Sequence, residues 1–264
     1  MTNTIENNGA YYYAPRTEVD KAAGFVLATL ASGAIMKGLS VTGDMFHKEL
    51  VKEQANNNTY REYLRKAFDL SGLAKKGVEI IPAQFENMAF PVEAAGKNAC
   101  YIPKARKVVL NTDKISHAGF HELGHAMNDL MSKYGVKYLA KMRRPGYIIA
   151  GLMEYFAIFS RTKPKEAKRS FTDIIEDNCG KIAFLALLPV IAEEGIASLR
   201  GIKLAKAAGL AEPMIKNLKR LYGKALLTYT GRAVLGGLAI GASRIIMDHY
   251  TRPRKVEPDE FFSI

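Results

Sequence analysis

Residues 121–125 read His-Glu-Leu-Gly-His within the stretch SHAGFHELGHAMNDL, and few five-residue patterns restrict local structure as tightly. Residues four apart on an α-helix project from one face, one turn up, with side chains leaning the same way. His121 and His125 placed in this way can share one tetrahedral metal ion, and zinc is the usual ion of such sites. Glu122, next to the first histidine, then stands where it can take a proton from a water on that ion. Zinc lowers the pKa of such a water from about 15.7 to about 7, which makes a nucleophile at neutral pH. The spacing therefore predicts a helix here. It implies metal-assisted hydrolysis, of a peptide bond in the first instance, with Glu122 as general base.

The flanks agree with a helix. Leu123, Met127, Leu130 and Met131 form an apolar stripe at helical spacing, and Thr112, Asp113 and Ser116 are candidate N-caps. Gly119 and Gly124 weaken the helix intrinsically, which is tolerable where a strand or a substrate must come close. Upstream, Asp44 to Lys75 has the charge alternation of one or two amphipathic helices. VEIIP (78–82), NACYIP (98–103) and KVVLN (107–111) then read as short strands broken by Gly, Pro and Asn. In metallopeptidases a strand beside the metal helix commonly takes the substrate as an added strand; NACYIP and KVVLN are the candidates.

Four apolar stretches set the remaining architecture: 22–41, 146–160, 181–198 and 226–247. The first, with one late lysine at Lys37, is long enough to cross a bilayer core of about 30 Å and is the best candidate to do so. The apolar parts of the middle two, around Glu154 and ahead of Glu193, are too short to span comfortably and suit a buried or partly inserted hairpin. The fourth contains Gly237 and Gly241, a small-x-x-x-small spacing that permits close helix packing. The net charge of +12 is spread along the chain with no nucleic-acid motif, so anionic lipid is the better partner for it and nucleic acid is not expected. Lys37 late in the first stretch, with Lys48 and Lys52 after it, would keep that side cytoplasmic. Cys100 and Cys179 make neither a disulfide framework nor a zinc knuckle and are expected to be buried and free. Residues 1–21 have the composition of an unstructured tail without the pattern of a signal peptide, and 251–264 form a C-terminal tail, which leaves one domain over 22–250.

Two histidines are one protein ligand short of a catalytic zinc site. His117 is expected to cap or pack, His47 and His249 lack local context, and Met131 occupies the position where a metzincin has its third histidine. The acidic pair Glu193-Glu194 follows a long apolar approach, where it is costly unless paired or bound to metal. Burial alone does not choose between the two.

The arrangement resembles the membrane-associated gluzincin peptidases, the group of HtpX-type proteases and CAAX prenyl endopeptidases, and is most similar to bacterial YugP-type zinc metallopeptidases. Tyr101-Ile102-Pro103, then Val108-Val109-Leu110, stand about where that family has its Tyr-x-Pro strand entry before the metal helix. H-E-L-G-H follows, then two apolar segments, and then Glu194-Gly195-Ile196-Ala197-Ser198 matches the family's E-x-x-A-S. The resemblance covers roughly 98–206; the apolar hairpin is shorter and more charged than the family's pattern. It implies that Glu194 is the third ligand and that Ser198 steadies a ligand from behind. The expected protein is thus α+β and mostly helical: a zincin-like metal helix, a small sheet, and apolar helices at or in a membrane. It is expected to be a zinc endopeptidase with one Zn2+ held by His121, His125 and Glu194, acting on protein or peptide substrates from the cytoplasmic side. Tyr222, Arg200, Arg232 and His249 are chemically able to stabilise an oxyanion. The rival readings are a non-catalytic membrane or scaffold protein with a structural metal site, and a metallohydrolase of non-peptide substrates.

Overall fold

In the computed structural model, residues 12–53, 58–82, 99–110, 117–132, 134–160, 162–164 and 167–256 are described. The chain begins with β1 (Tyr12–Ala14), α1 (Glu18–Glu53) and α2 (Asn58–Ser71), then a short 3-10 turn at Ala74–Lys76. Three strands follow, β2 (Glu79–Pro82), β3 (Ala99–Ile102) and β4 (Lys107–Leu110). The rest is helical, α3 (Ala118–Leu130), α4 (Tyr134–Phe159), α5 (Phe171–Asp177), α6 (Cys179–Ala207) and α7 (Glu212–Thr251), closed by β5 (Arg254–Val256). The protein is therefore mostly helical with small sheets, as the sequence implies.

Two expectations about the ends are corrected. Thr17 and Asp20 cap α1 reciprocally, the Asp20 N–H donating to Thr17 Oγ1 at 3.1 Å and the Thr17 N–H to Asp20 Oδ2 at 3.3 Å, so the helix starts at Glu18. Tyr12–Ala14 pairs antiparallel with Arg254–Val256, so these parts of the expected tails are strands. The remainder of both tails, 1–11 and 257–264, lies outside the described residues, as do the candidate caps Thr112, Asp113 and Ser116.

A single domain is expected over 22–250. The chain divides into two compact units, one of Met1–Ser40, Tyr147–Ala186 and Arg232–Ile264, the other of Val41–Gly146 and Leu187–Gly231. In the first, Gly180 of α6 meets α7 backbone to backbone: a Cβ on it would stand 2.4 Å from Gly237 O and 2.9 Å from Gly241 N. The small-residue spacing on α7 is thus a helix contact. Met153, Ala157, Cys179, Ala183 and Ile240 form the core there. Arg244 is buried nearby, donating to Ser160 Oγ at 2.6 Å and to Glu176 Oε2 at 3.2 Å, which offsets the cost of its charge.

The second unit carries the sheet, in the order β2-β4-β3 with β2 parallel and β3 antiparallel to β4. Central β4 is a continuous apolar run with Val108, Val109 and Leu110 all buried. Being paired on both sides it has no free edge, so KVVLN is excluded as a substrate strand; β2 and β3 are the edges among the described residues. Phe120 and Leu123 of α3 are fully buried among Tyr60 and Leu64 of α2, Val108 of β4, Leu204 of α6 and Leu218 of α7. Each such side chain contributes about 1.5–3 kcal/mol. Met131, expected on this stripe, instead follows the helix as its C-cap and is exposed.

α3 and α6 cross at backbone contact. A Cβ on Gly124 would lie 2.0 Å from Ala197 O, and one on Gly201 2.5 Å from Phe120 O. The element that comes close to Gly124 is therefore a helix, not a strand or a substrate; Gly119 meets Leu64 of α2.

α6 and α7 are long and apolar enough to cross a membrane. The 29 residues of α6, at about 1.5 Å each, exceed a bilayer core of about 30 Å, so the third apolar stretch is part of a longer helix than its hydrophobic run implies. The first stretch lies within α1, but past Ile35 it enters positions whose side chains are largely outside the described residues.

The α3–α6 crossing carries a stability prediction. Gly124→Ala should destabilise the protein by about 2 kcal/mol net, because overpacking against a backbone carbonyl outweighs the gain in helix propensity. Gly151→Ala, on α4 with nothing within 4 Å of its would-be Cβ, should be neutral or stabilising by up to about 1 kcal/mol. Thermal unfolding of the two variants in one detergent checks the contrast.

Candidate metal centre

The crossing brings two turns of α3 against two turns of α6. His121 and His125 stand one turn apart, with ring centroids 4.5 Å and Nε2 atoms 2.9 Å apart. Glu194 Oε2, from α6, lies 3.1 Å from His121 Nε2 and 3.5 Å from His125 Nε2. A tetrahedral zinc with ligands at about 2.0–2.2 Å requires ligand-to-ligand separations of about 3.3–3.6 Å. The observed triangle meets that within a few tenths of an ångström.

The partner behind each ring bears on which nitrogen carries the proton. His125 Nδ1 lies 2.8 Å from Glu193 Oε1, and a carboxylate only accepts, so Nδ1 carries the proton and donates. His121 Nδ1 lies 3.1 Å from Ser198 Oγ, which can accept in the same way. Loss of the Nε2 protons would turn both lone pairs and Glu194 Oε2 toward one point, a set of three acceptors suited to a cation. Burial works against a charged His125, but hydrogen bonds to Glu193 and Glu194 outweigh it and lift its pKa to about 10. The cluster attracts positive charge strongly, and these His and Glu groups are able to hold a metal ion.

Glu193 and Glu194, 1% and 2% exposed, have different partners. Glu193 Oε1 also accepts from Asn128 Nδ2 at 2.9 Å, and its Oε2 accepts from Arg143 Nη1 at 3.3 Å. Glu194 Oε1 accepts from Arg143 Nη2 at 2.6 Å, leaving Oε2 to the histidines. Neither Arg143 nor Asn128 was singled out by sequence. Asn128 follows His125 by three and shares its helix face, so spacing could have found it. Arg143 comes from α4 and has no local signal.

Glu122 joins the two histidines as a possible ligand group. Its Oε2 accepts the backbone N–H of Tyr101 at 2.7 Å, so the edge strand β3 turns one of its outward N–H groups to the candidate base. The Tyr101 hydroxyl donates to Asp129 Oδ2 at 2.9 Å, and burial together with that carboxylate raises its pKa.

Of the four candidates for an oxyanion donor, Tyr222 has its ring centroid 5.4 Å from that of His121. Its hydroxyl is already committed to the carbonyl of His117. Arg200 is on α6, and its Nη1 is buried without a hydrogen-bond partner among the described residues. Arg232 and His249 belong to the other compact unit. His117 packs, as expected: it is buried, and burial with the nearby His121 lowers its pKa to about 4. The side chain of His47 is outside the described residues. Cys100 and Cys179 are buried and form no disulfide among the described residues.

Comparison with protein-family models, curated proteins and solved structures gave no match to this chain.

Two measurements follow from this geometry. Glu194→Ala should abolish stoichiometric metal binding, whereas Glu193→Ala, which removes the backing of His125 and leaves Glu194 in place, should weaken it by about 10- to 100-fold; chelator competition separates the two. His117 is held neutral, with a folded pKa of about 4 against an ordinary value of about 6.5. Its contribution to stability is complete above pH ~6.5 and declines as pH falls toward 4, by up to about 3 kcal/mol. Metal-free His117→Phe should therefore lose less stability than the metal-free wild type over that interval in denaturant titrations.

Proposed function

We propose that this protein is a membrane-associated zinc endopeptidase of the gluzincin type, related to the YugP and HtpX group. The observation that carries the reading is the convergence of His121 Nε2, His125 Nε2 and Glu194 Oε2, with Glu122 on the adjoining residue. Zinc would be held by those three side chains, and when bound it would supply Lewis acidity and lower the pKa of a water to about 7.

The chain's own residues do the rest. Glu122 takes the proton of the attacking water and returns it to the leaving amine, as a general base and then a general acid. The Tyr101 N–H keeps one Glu122 oxygen fixed, so the other is free to point at the reacting atoms. The outer edge of β3 supports an extended peptide through main-chain hydrogen bonds. Glu193 and Ser198 hold the two imidazoles in the tautomer that frees Nε2. A purely structural metal site would need a fourth protein ligand; Glu193 is instead engaged by His125, Asn128 and Arg143, and Glu122 by the Tyr101 N–H.

Membrane association is supported by α6 and α7 and by exposed apolar side chains such as Phe25, Leu30, Tyr155, Phe159, Leu238 and Ile245. Each of these six belongs to the unit without the His/Glu cluster. The basic character of Lys37, Lys48 and Lys52 favours a cytoplasmic catalytic side.

The test compares wild type with Glu122→Gln, purified without chelators. Both should hold about one zinc per chain, and only the wild type should cleave casein, the variant falling by at least about 100-fold. A zinc-free wild type would overturn the proposal. Alkaline carbonate extraction should leave the chain in the membrane fraction; release into the supernatant would remove the integral-membrane part of the reading.

A further inference from the structure

Glu193 and Glu194 are neighbours in sequence and both are buried, and each has a carboxylate oxygen within 4.8 Å of a His125 ring nitrogen. By proximity and chemistry either is fit to bind a cation, and together they could saturate one. Arg143 stands across the pair. Its Nη1 meets Glu193 Oε2 at 3.3 Å and its Nη2 meets Glu194 Oε1 at 2.6 Å. One planar guanidinium thus takes one oxygen of each carboxylate, and the remaining oxygens part company. Glu193 Oε1 goes to His125 Nδ1 and Asn128, and Glu194 Oε2 goes to the two Nε2 atoms.

We propose that Arg143 is a positioning residue that keeps Glu193 out of the metal's coordination sphere, so that the site closes on three protein ligands and leaves the fourth position for solvent or substrate. This rests on the metallopeptidase reading above. The physical reason is competition for a buried carboxylate. A buried anion that loses its cationic partner seeks another, and without the guanidinium the strongest cation within reach of Glu193 is the metal. A rigid fork suits this task, because it fixes two carboxylates at a set spacing where a single ammonium would serve as a mobile point charge.

The test uses the full chain loaded with Co2+, whose visible bands report coordination, and acetohydroxamate as an exogenous ligand for the open position. Acetohydroxamate should shift the bands of the wild type. Arg143→Met should retain cobalt but give bands insensitive to acetohydroxamate, and with zinc its casein cleavage should fall by about 10- to 100-fold. The double variant Arg143→Met with Glu193→Gln should recover the acetohydroxamate response, which a merely structural role for Arg143 would not produce. Arg143→Gln, whose amide can serve only one of the carboxylates, carries the same test should the methionine variant not fold. A cobalt-loaded Arg143 variant that responds like the wild type overturns this inference alone, as does one that folds but loses cobalt. A wild type that holds no cobalt overturns the metal-site reading together with it.

Discussion

Everything at the candidate centre depends on how closely α3 and α6 approach. With Gly124 against the Ala197 carbonyl and Gly201 against that of Phe120, the two helices touch through backbone rather than through side chains. Only at that distance can side chains as short as glutamate reach from α6 to the imidazoles of α3 with separations near 3 Å. The glycine inside H-E-L-G-H thus has a geometric duty as definite as that of its histidines. Phe120 and Leu123, fully buried on the same helix, hold the crossing in place from the core side.

The second constraint is electrostatic. Two carboxylates with almost no solvent contact, set beside two imidazoles, would be costly in an ordinary core. Here each oxygen has an assigned partner: Arg143 takes one from each glutamate, His125 and Asn128 share another, and the last faces the two Nε2 atoms. Such an arrangement agrees poorly with local propensity and well with a site that holds a cation. The same logic appears in the other compact unit, where buried Arg244 is matched by Glu176 and Ser160.

What the sequence disclosed, and what it hid, follows from the range of each interaction. Helix α3 was legible because its signal, two histidines four apart with an apolar stripe, lies within one element. The three strands and the four long helices were legible for similar reasons. Helix ends were less so, because α4 starts at polar residues such as Lys141 ahead of its apolar run and α6 continues through Lys203 after its run stops. Glu193 and Glu194 could be nominated together, but only a family resemblance separated them; their different partners lie on α3 and α4, distant along the chain. Arg143 had no signal at all, since nothing near it in sequence marks it. The pairing of β1 with β5 joins the two ends of the described chain. The division into two units was hidden too, because α1, α4, α6 and α7 each contribute to both.

The central claim is that two imidazoles and a carboxylate hold one zinc ion with no sulfur ligand. X-ray absorption at the zinc edge of the full-length protein, purified without chelators, measures this directly. The expected spectrum has nitrogen and oxygen scatterers alone at about 2.0–2.2 Å, with outer-shell scattering from two imidazoles. Sulfur in the first shell, scattering from one imidazole or from three, or a protein that retains no zinc would contradict it.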